Sequence, residues 1–237
     1  MNAAGPARRV VSLVPSLTET LLGWGVRPAA VTRFCEVDGY PTVGGTKNPD
    51  IRAIVDLAPD VVLMDREENR RPDAEALMAA GVRVLAVQVR SVGDVRPALD
   101  AVAAAIGVIP ATAGCDPVPA RSSRPVPVWV PIWRRPWMTI GAATYGSSIL
   151  AAAGFRNVYG DCAEPYPTVE PAAARALGPE LVLAPSEPYA FKEKHRAELE
   201  QVAPAVFVDG KDLFWWGVRT PGAQRRLAQL AAELARR

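Results

Sequence analysis

The chain repeats one pattern twice, with an offset of about 120 residues, and this repeat constrains the fold more than any other feature. In the first half a helical stretch runs into LAPDVVL at residues 57–63, and in the second half another runs into LGPELVL at residues 177–183. Each copy continues with a polar loop, an amphipathic helix and a further strand. Strand–helix–strand units pair their strands in parallel through right-handed crossovers. The repeat therefore predicts an α/β protein of two pseudo-symmetric lobes with mostly parallel sheets.

The two halves are joined by one helix-forming stretch and one proline-rich stretch. Apolar residues recur on a single helical face from position 94 to position 107, which predicts a rod of roughly 20 Å. Residues 110–127 are rich in proline, serine and glycine, which is typical of a linker. We predict an N-terminal α/β lobe at 1–93, a connecting helix and linker at 94–125, and a C-terminal α/β lobe at 126–237.

Composition excludes several classes of function. A net charge of +2 gives no electrostatic basis for binding nucleic acid. No apolar run approaches the ~20 residues that span a bilayer. The three cysteines lack the spacing of a metal site, so we expect reduced thiols and no metal ligands. Residues 1–9 do not read as a secretory signal, which predicts a cytoplasmic location, with the periplasm or cell surface as the alternative if a leader is missing from this chain.

The loops at the predicted carboxyl ends of the strands are rich in aromatic and basic residues. Ligands of parallel α/β lobes bind at these ends. Aromatic faces beside arginines suit a flat, partly apolar ligand that carries carboxylates or amides, held in the cleft between the lobes. These loops and the helix starts beside them supply the candidate ligand-binding residues Pro15, Ser16, Phe34, Arg66, Trp133, Trp137, Tyr145, Tyr189, Phe214, Trp215 and Arg219.

Other polar residues offer little for catalysis. The glycines of GGTK at residues 44–47 lack the spacing of a phosphate loop. Glu67 and Glu68 are adjacent, so their carboxylates do not face one reacting atom, and we expect a solvated charge cluster. The single histidine, His195, lies in a charged stretch and is expected at the surface. We therefore predict no catalytic residue and no enzymatic activity.

Five stretches carry a resemblance to a known family. They are RVVSLVPSLTET at 9–20, VGGTKNPD at 43–50, LAPDVVL at 57–63, WRRPWM at 133–138 and YPTV at 166–169. With them the chain resembles the cobalamin- and siderophore-type substrate-binding proteins, the class whose two lobes are joined by a single helix. The resemblance implies a monomeric, non-catalytic receptor without an intrinsic cofactor. The implied ligand is cobalamin or another corrinoid, with a ferric siderophore or haem next.

The resemblance also implies roles for particular residues. Trp137 and Tyr166 are similar to second-lobe aromatics that contact the corrin ring. Pro15, Ser16 and the Gly45–Thr46 loop are similar to first-lobe contacts. These assignments add Gly45, Thr46 and Tyr166 to the candidate ligand-binding residues.

Three features depart from the family pattern. Asp65 stands where cobalamin binders of the family carry an aromatic residue. Secreted members dock on an ABC permease through one glutamate in each lobe, and the matching positions here are read as Arg71 and Gly217, which puts such docking in doubt. The joining helix is also shorter than the family's.

Two other functions stay open on the sequence. One is a two-lobed transferase that uses a nucleotide-sugar, since such enzymes also place substrate between α/β lobes. The other is a sensor or scaffold whose partner binding responds to ligand.

Overall fold

The computed structural model describes residues 9–109, 124–234 and 236, and it divides them into two compact units. Unit 1 contains residues 9–89, 93–109 and 216–218. Unit 2 contains residues 90–92, 124–215, 219–234 and 236. Most of the predicted proline-rich linker, residues 110–123, lies outside the described residues.

Unit 1 is built on a four-stranded, entirely parallel sheet. Its strands are β1 (Val10–Ser12), β2 (Ala30–Val31), β3 (Val61–Asp65) and β4 (Val84–Val87), in the order β2-β1-β3-β4. Its helices are α1 (Pro15–Gly23), α2 (Ile51–Asp56), α3 (Arg71–Ala79) and α4 (Val92–Ile106). Helices α1 and α3 carry a proline in the first turn, where no backbone donor is lost. All five residues of β3 are buried, as expected for a central parallel strand.

Unit 2 has a parallel sheet of the same kind and a small hairpin. The sheet contains β5 (Val126–Trp129), β8 (Phe155–Asn157), β9 (Leu181–Pro185) and β10 (Ala205–Val208), in the order β10-β9-β5-β8. Strands β6 (Pro131–Trp133) and β7 (Met138–Thr139) pair antiparallel. The helices are α5 (Tyr145–Ala153), α6 (Pro171–Ala176), α7 (Arg196–Leu199), α8 (Lys211–Phe214) and α9 (Thr220–Leu234), with a 3-10 turn at Glu193–His195.

The two sheets have equivalent topology, which confirms the predicted α/β fold class. Unit 1 reads β2-β1-β3-β4, and unit 2 read from its other edge gives β8-β5-β9-β10. The repeated motifs fall on equivalent strands, since LAPDVVL leads into β3 and LGPELVL into β9. The predicted helix at 94–107 is α4, Val92–Ile106. Within the described residues, no helix is long and apolar enough to cross a membrane.

A short segment of the second half of the chain packs in unit 1, which a simple division at residues 94 and 126 does not anticipate. Residues 216–218 belong to unit 1. Val218 lies against Gly23, where an added Cβ would be 3.1 Å from its Cγ2 atom. Gly217 has φ 133°, and an added Cβ there would clash with Thr20. Close packing therefore requires glycine at position 217.

Helix α9 buries a glutamine whose amide has no partner among the described residues. Gln224 is 1% exposed, and neither of its amide atoms makes a hydrogen bond there. A buried amide without a partner costs about 1–3 kcal/mol. We expect Gln224→Met, which keeps the length of the side chain, to raise the free energy of unfolding by about 1–2 kcal/mol in urea denaturation. Gln229→Met, on the exposed part of the same helix, should change it by less than about 0.5 kcal/mol. A loss of stability in the Gln224 variant would contradict the prediction.

Candidate ligand-binding site

The carboxyl edge of the unit 1 sheet gathers several predicted ligand-binding residues. Pro15 and Ser16 begin α1 directly after β1. Phe34 follows β2 and is 52% exposed. Its ring lies against the loop at residues 44–48, because a Cβ added at Gly45 would be 2.9 Å from Phe34 Cε2. Thr46, in the same loop, is buried. The structure thus brings Phe34 and the Gly45–Thr46 loop together on one edge.

Asn69 connects three backbone segments at this edge by hydrogen bonds, a role that the sequence does not predict. Its Nδ2 atom donates to the carbonyl oxygen of Leu13 at 3.2 Å and to that of Thr46 at 2.9 Å. Its Oδ1 atom accepts from the backbone N–H of Asp65 at 2.9 Å. Asn69 is 7% exposed. One buried amide therefore joins the end of β1, the 44–48 loop and the end of β3.

Asp65, the residue that departs from the family's aromatic pattern, is a buried acceptor. It is 2% exposed, its Oδ1 accepts from the Glu67 N–H at 2.7 Å, and its Oδ2 accepts from the Trp216 indole at 2.9 Å. Burial away from water raises the pKa of Asp65 to about 6; the two hydrogen bonds lower it, and the charges of Glu67 and Glu68 raise it. Trp216 is 4% exposed. Trp216 follows the candidate Trp215 directly in the chain, and the structure buries it in unit 1.

Unit 2 contains a continuous run of stacked and tilted rings, here called the aromatic ladder: Trp129, Trp137, Phe191, Tyr189 and Trp133. Neighbouring ring centroids are 5.6, 5.9, 4.8 and 5.7 Å apart in that order. The ladder begins at Trp129, which is fully buried, and ends at Trp133, which is 45% exposed. The hairpin after β5 and the loop after β9 carry its outer rings. Two loops at the carboxyl edge of this sheet therefore meet through aromatic contacts.

His195 is not at the surface, and that expectation is wrong. It is 6% exposed, and its ring centroid lies 5.5 Å from that of Tyr189. Its Nδ1 accepts from the Lys192 N–H at 3.0 Å, which leaves the ring proton on Nε2, 3.4 Å from the Tyr189 hydroxyl. Burial lowers the pKa of His195, and nearby Lys194 and Arg134 lower it further. His195 is therefore a neutral packing partner of the aromatic ladder.

The remaining candidates of unit 2 have different surroundings. Tyr145 is buried, and its hydroxyl lies 2.9 Å from the Thr220 hydroxyl. Tyr166 is 38% exposed. The Trp215 ring is half-buried, with Lys211 Nζ 4.7 Å from its centroid. The aromatic contacts thus join Trp133, Trp137 and Tyr189, whereas Tyr145 packs on α9.

Two further candidates of unit 2 have close neighbours in the core. Phe214 is half-buried beside Gly146, where an added Cβ would be 3.3 Å from its ring. The guanidinium of Arg219 donates to Asp212 at 2.8 Å, so its charge is already compensated. In unit 1, by contrast, Arg66 is exposed.

The described residues contain no cluster of three or more histidine, cysteine, aspartate or glutamate side chains that could hold a metal ion. Cys35 and Cys162 are free thiols, and Cys115 lies outside the described residues. The candidate residues therefore provide faces and edges of aromatic rings, with a few polar groups beside them, as contacts for a ligand.

The position read as the second docking glutamate cannot present a side chain. Gly217 is buried, and an added Cβ would overlap Thr20 Oγ1. A glutamate could not replace Gly217 without moving Thr20. Arg71, the other position, is exposed at the start of α3 and pairs with Glu75 at 2.7 Å.

Comparison with known proteins supports the resemblance. No family model matches the chain. The vitamin B12-binding protein of Salmonella paratyphi A is 23% identical over 192 residues, covering 75% of this chain and 72% of that protein. The periplasmic vitamin B12-binding protein BtuF of Vibrio cholerae matches with a TM-score of 0.78 and 17% identity, covering 99% of this chain and 100% of BtuF.

A haem-binding protein gives an equally good structural match. The periplasmic haem-binding protein BhuT, solved with two haems, has a TM-score of 0.78 and 21% identity, covering 95% of this chain and 98% of BhuT. These matches confirm the predicted resemblance to cobalamin- and siderophore-type binding proteins at the level of the fold. Both structures are periplasmic by name, so they lend no support to the cytoplasmic location expected from the sequence.

Proposed function

We propose that this protein binds a flat metal chelate without transforming it. The observation that carries the proposal is the aromatic ladder, because it leads from a fixed, buried ring to an exposed one at the carboxyl edge of a parallel sheet. Rings held in this way present large apolar surface with little conformational entropy left to lose on binding. Corrinoids come first as the ligand, and haem or a ferric siderophore next.

Each unit, taken by itself, carries proposed ligand-binding residues. In unit 2, Trp133 is the exposed end of the ladder, and Tyr189 and Trp137 support it. In unit 1, exposed Phe34 lies on the Gly45–Thr46 loop. The other proposed ligand-binding residues are the candidates named from the sequence: Pro15, Ser16 and Arg66 in unit 1, and Tyr145, Tyr166, Phe214, Trp215 and Arg219 in unit 2.

The matched proteins support a receptor rather than an enzyme. Their names describe binding of vitamin B12 or haem. By the same analogy a periplasmic place of action is preferred to the cytoplasm, which fractionation of cells that express the full-length protein would test. A monomeric state stays a prediction from the family resemblance, whereas docking on an ABC permease is disfavoured because Arg71 and Gly217 stand where the family carries glutamates.

Titration with cobalamin, cobinamide, haem and a ferric siderophore tests the proposal. At least one should bind with Kd well below ~100 μM, and Trp133→Ala should weaken that binding by about tenfold, the worth of one well-placed aromatic contact. Trp24→Ala is the matched control, because Trp24 lies at the far end of α1, away from the carboxyl edge of its sheet. Binding of none of the four below ~100 μM would overturn the proposal.

A further inference from the structure

We propose that Asn69 and Asp65 are positioning residues of the unit 1 binding face, which fix its loops before ligand arrives. The inference rests on the chelate-binding function proposed above, and it concerns residues that are buried and hold the loops from beneath. Asn69 is 7% exposed and Asp65 is 2% exposed.

Asn69 uses the hydrogen-bonding capacity of its side chain on three backbone segments. A carboxamide offers two donor hydrogens and one acceptor oxygen. The two donor contacts reach Leu13 and Thr46, 56 and 23 residues away in the chain, and the acceptor contact reaches the start of its own turn at Asp65. The side chain therefore fixes three backbone segments relative to one another.

The turn at residues 65–69 is itself held by several hydrogen bonds. Asp65 Oδ1 accepts from Glu67 N–H within the turn, and the backbone N–H of Asn69 donates to the Asp65 carbonyl at 2.8 Å. The indole of Trp216 donates to the other carboxylate oxygen of Asp65. Lys47 Nζ adds a second link from the 44–48 loop, at 2.6 Å from the Glu67 carbonyl oxygen. A rigid turn makes Asn69 an effective anchor for the loops it contacts.

The 44–48 loop also has backbone bonds of its own. The carbonyl oxygen of Gly44 accepts from the Arg33 N–H at 2.9 Å, and Gly45 and Asn48 bond each other at 3.1 and 3.3 Å. These bonds connect the loop to the segment after β2 and close it on itself, whereas Asn69 and Lys47 connect it to the turn at 65–69. Strands β1 and β2 contain three and two residues, so their sheet ladders hold few of the backbone groups nearby. The loop at 44–48 carries Gly45 and Thr46, and Phe34 packs on Gly45. A loop that must order when ligand binds loses affinity, whereas one ordered in advance does not. Asn69 and Asp65 thus set affinity through preorganisation of the loops.

Asn69→Ala tests the inference, with amide hydrogen exchange and ligand affinity as separate readouts. We expect faster exchange in the peptide that covers residues 44–48, measured without ligand. We also expect cobinamide and haem, used as probes, to bind at least about fivefold more weakly, the scale of ordering one loop. Lys47→Met removes only the exposed second link, so it should fold normally and give the same two effects to a smaller degree.

Leu77→Ala is the matched control, because it destabilises the core of unit 1 without removing a hydrogen bond to the loops. The folded molecules of this variant should bind the probes with an affinity within about twofold of the wild-type value, because the substitution lowers only the stability of the core. Unchanged exchange at residues 44–48 in Asn69→Ala would overturn the inference. So would an affinity loss no larger than that of Leu77→Ala. If none of cobalamin, cobinamide, haem and a ferric siderophore binds the wild-type protein, the proposed function fails, and the exchange rates alone decide whether Asn69 and Asp65 order the loops.

Discussion

Replacement of Gly141 by alanine is expected to destabilise unit 2 by about 3 kcal/mol, the upper range for overpacking. An added Cβ would lie 2.0 Å from the carbonyl oxygen of Glu164 and 2.8 Å from that of Cys162. Both atoms are backbone, so no side chain can rotate away. The backbone N–H of Gly141 also donates to Pro165 at 2.7 Å. The segment that leads to Tyr166 would have to move. We expect the affinity for the chelate to fall by about tenfold, because the Tyr166 ring would lose its proposed contact with the ligand.

Two further variants separate stability from binding. Gly81 has φ 79°, and a Cβ added there would meet no neighbouring atom within 4 Å. Gly81→Ala should therefore lower the free energy of unfolding by only about 1 kcal/mol and leave the affinity for the chelate unchanged. Tyr166→Ala should lose affinity without the large loss of stability. If Gly141 acts through Tyr166, the double variant should bind no more weakly than Tyr166→Ala alone. Urea denaturation measures the stability of each variant, and ligand titration measures its affinity. Additive losses of affinity in the double variant would contradict an effect of Gly141 through Tyr166.

The fold was predictable because its signals are local. Continuous apolar runs such as those of β3 and β9, each preceded by proline and an acid, identify buried parallel strands without knowledge of their neighbours. The repeat of this pattern then fixes the two equivalent sheets. The sequence does not predict the hairpin β6–β7, because strands of three and two residues leave almost no periodicity to detect.

The candidate site was less predictable, because its contacts join distant parts of the chain. Nothing near Asn69 in sequence indicates its bonds to Leu13 and Thr46. The charged neighbours of His195 predicted exposure, yet a 3-10 turn directs its ring onto Tyr189 while those neighbours stay in solvent. Trp216 and Asp65 are 151 residues apart in the chain, so only the folded chain places them beside each other. Residue type suggested the aromatic character of the site, but side-chain direction came only from tertiary packing.

The contribution of Asp65 to the free energy of unfolding is expected to fall as pH rises. Burial raises the pKa of this carboxyl from 3.8 to about 6 in the folded state. The folded state therefore holds the proton more tightly than the unfolded state, and the favourable contribution is complete below pH 3.8 and lost as pH rises through about 6. The full change is about 3 kcal/mol, of which about 1 kcal/mol falls between pH 5 and pH 7. Asp65→Asn removes the titrating group, so the wild-type free energy of unfolding minus that of the variant should decrease across this window.

The hydrogen bond from Trp216 makes the prediction specific to this contact. The indole N–H stabilises the carboxylate and lowers the pKa of Asp65, so Trp216→Phe should move the titration midpoint of Asp65 above 6. Trp215→Phe is the matched control, since its ring lies over Lys211 rather than beside Asp65, and it should leave the midpoint in place. Carbon-detected NMR of the Asp65 carboxyl measures the midpoint directly, and the Trp216 indole resonance should report the same value. A midpoint near 3.8 in the wild type would show that the two hydrogen bonds to Asp65 fully offset its burial, and the stability difference between wild type and Asp65→Asn would then stay flat from pH 5 to pH 7. A midpoint near 6 would mean that at neutral pH the turn beneath the 44–48 loop holds a buried carboxylate whose protonation stabilises the fold.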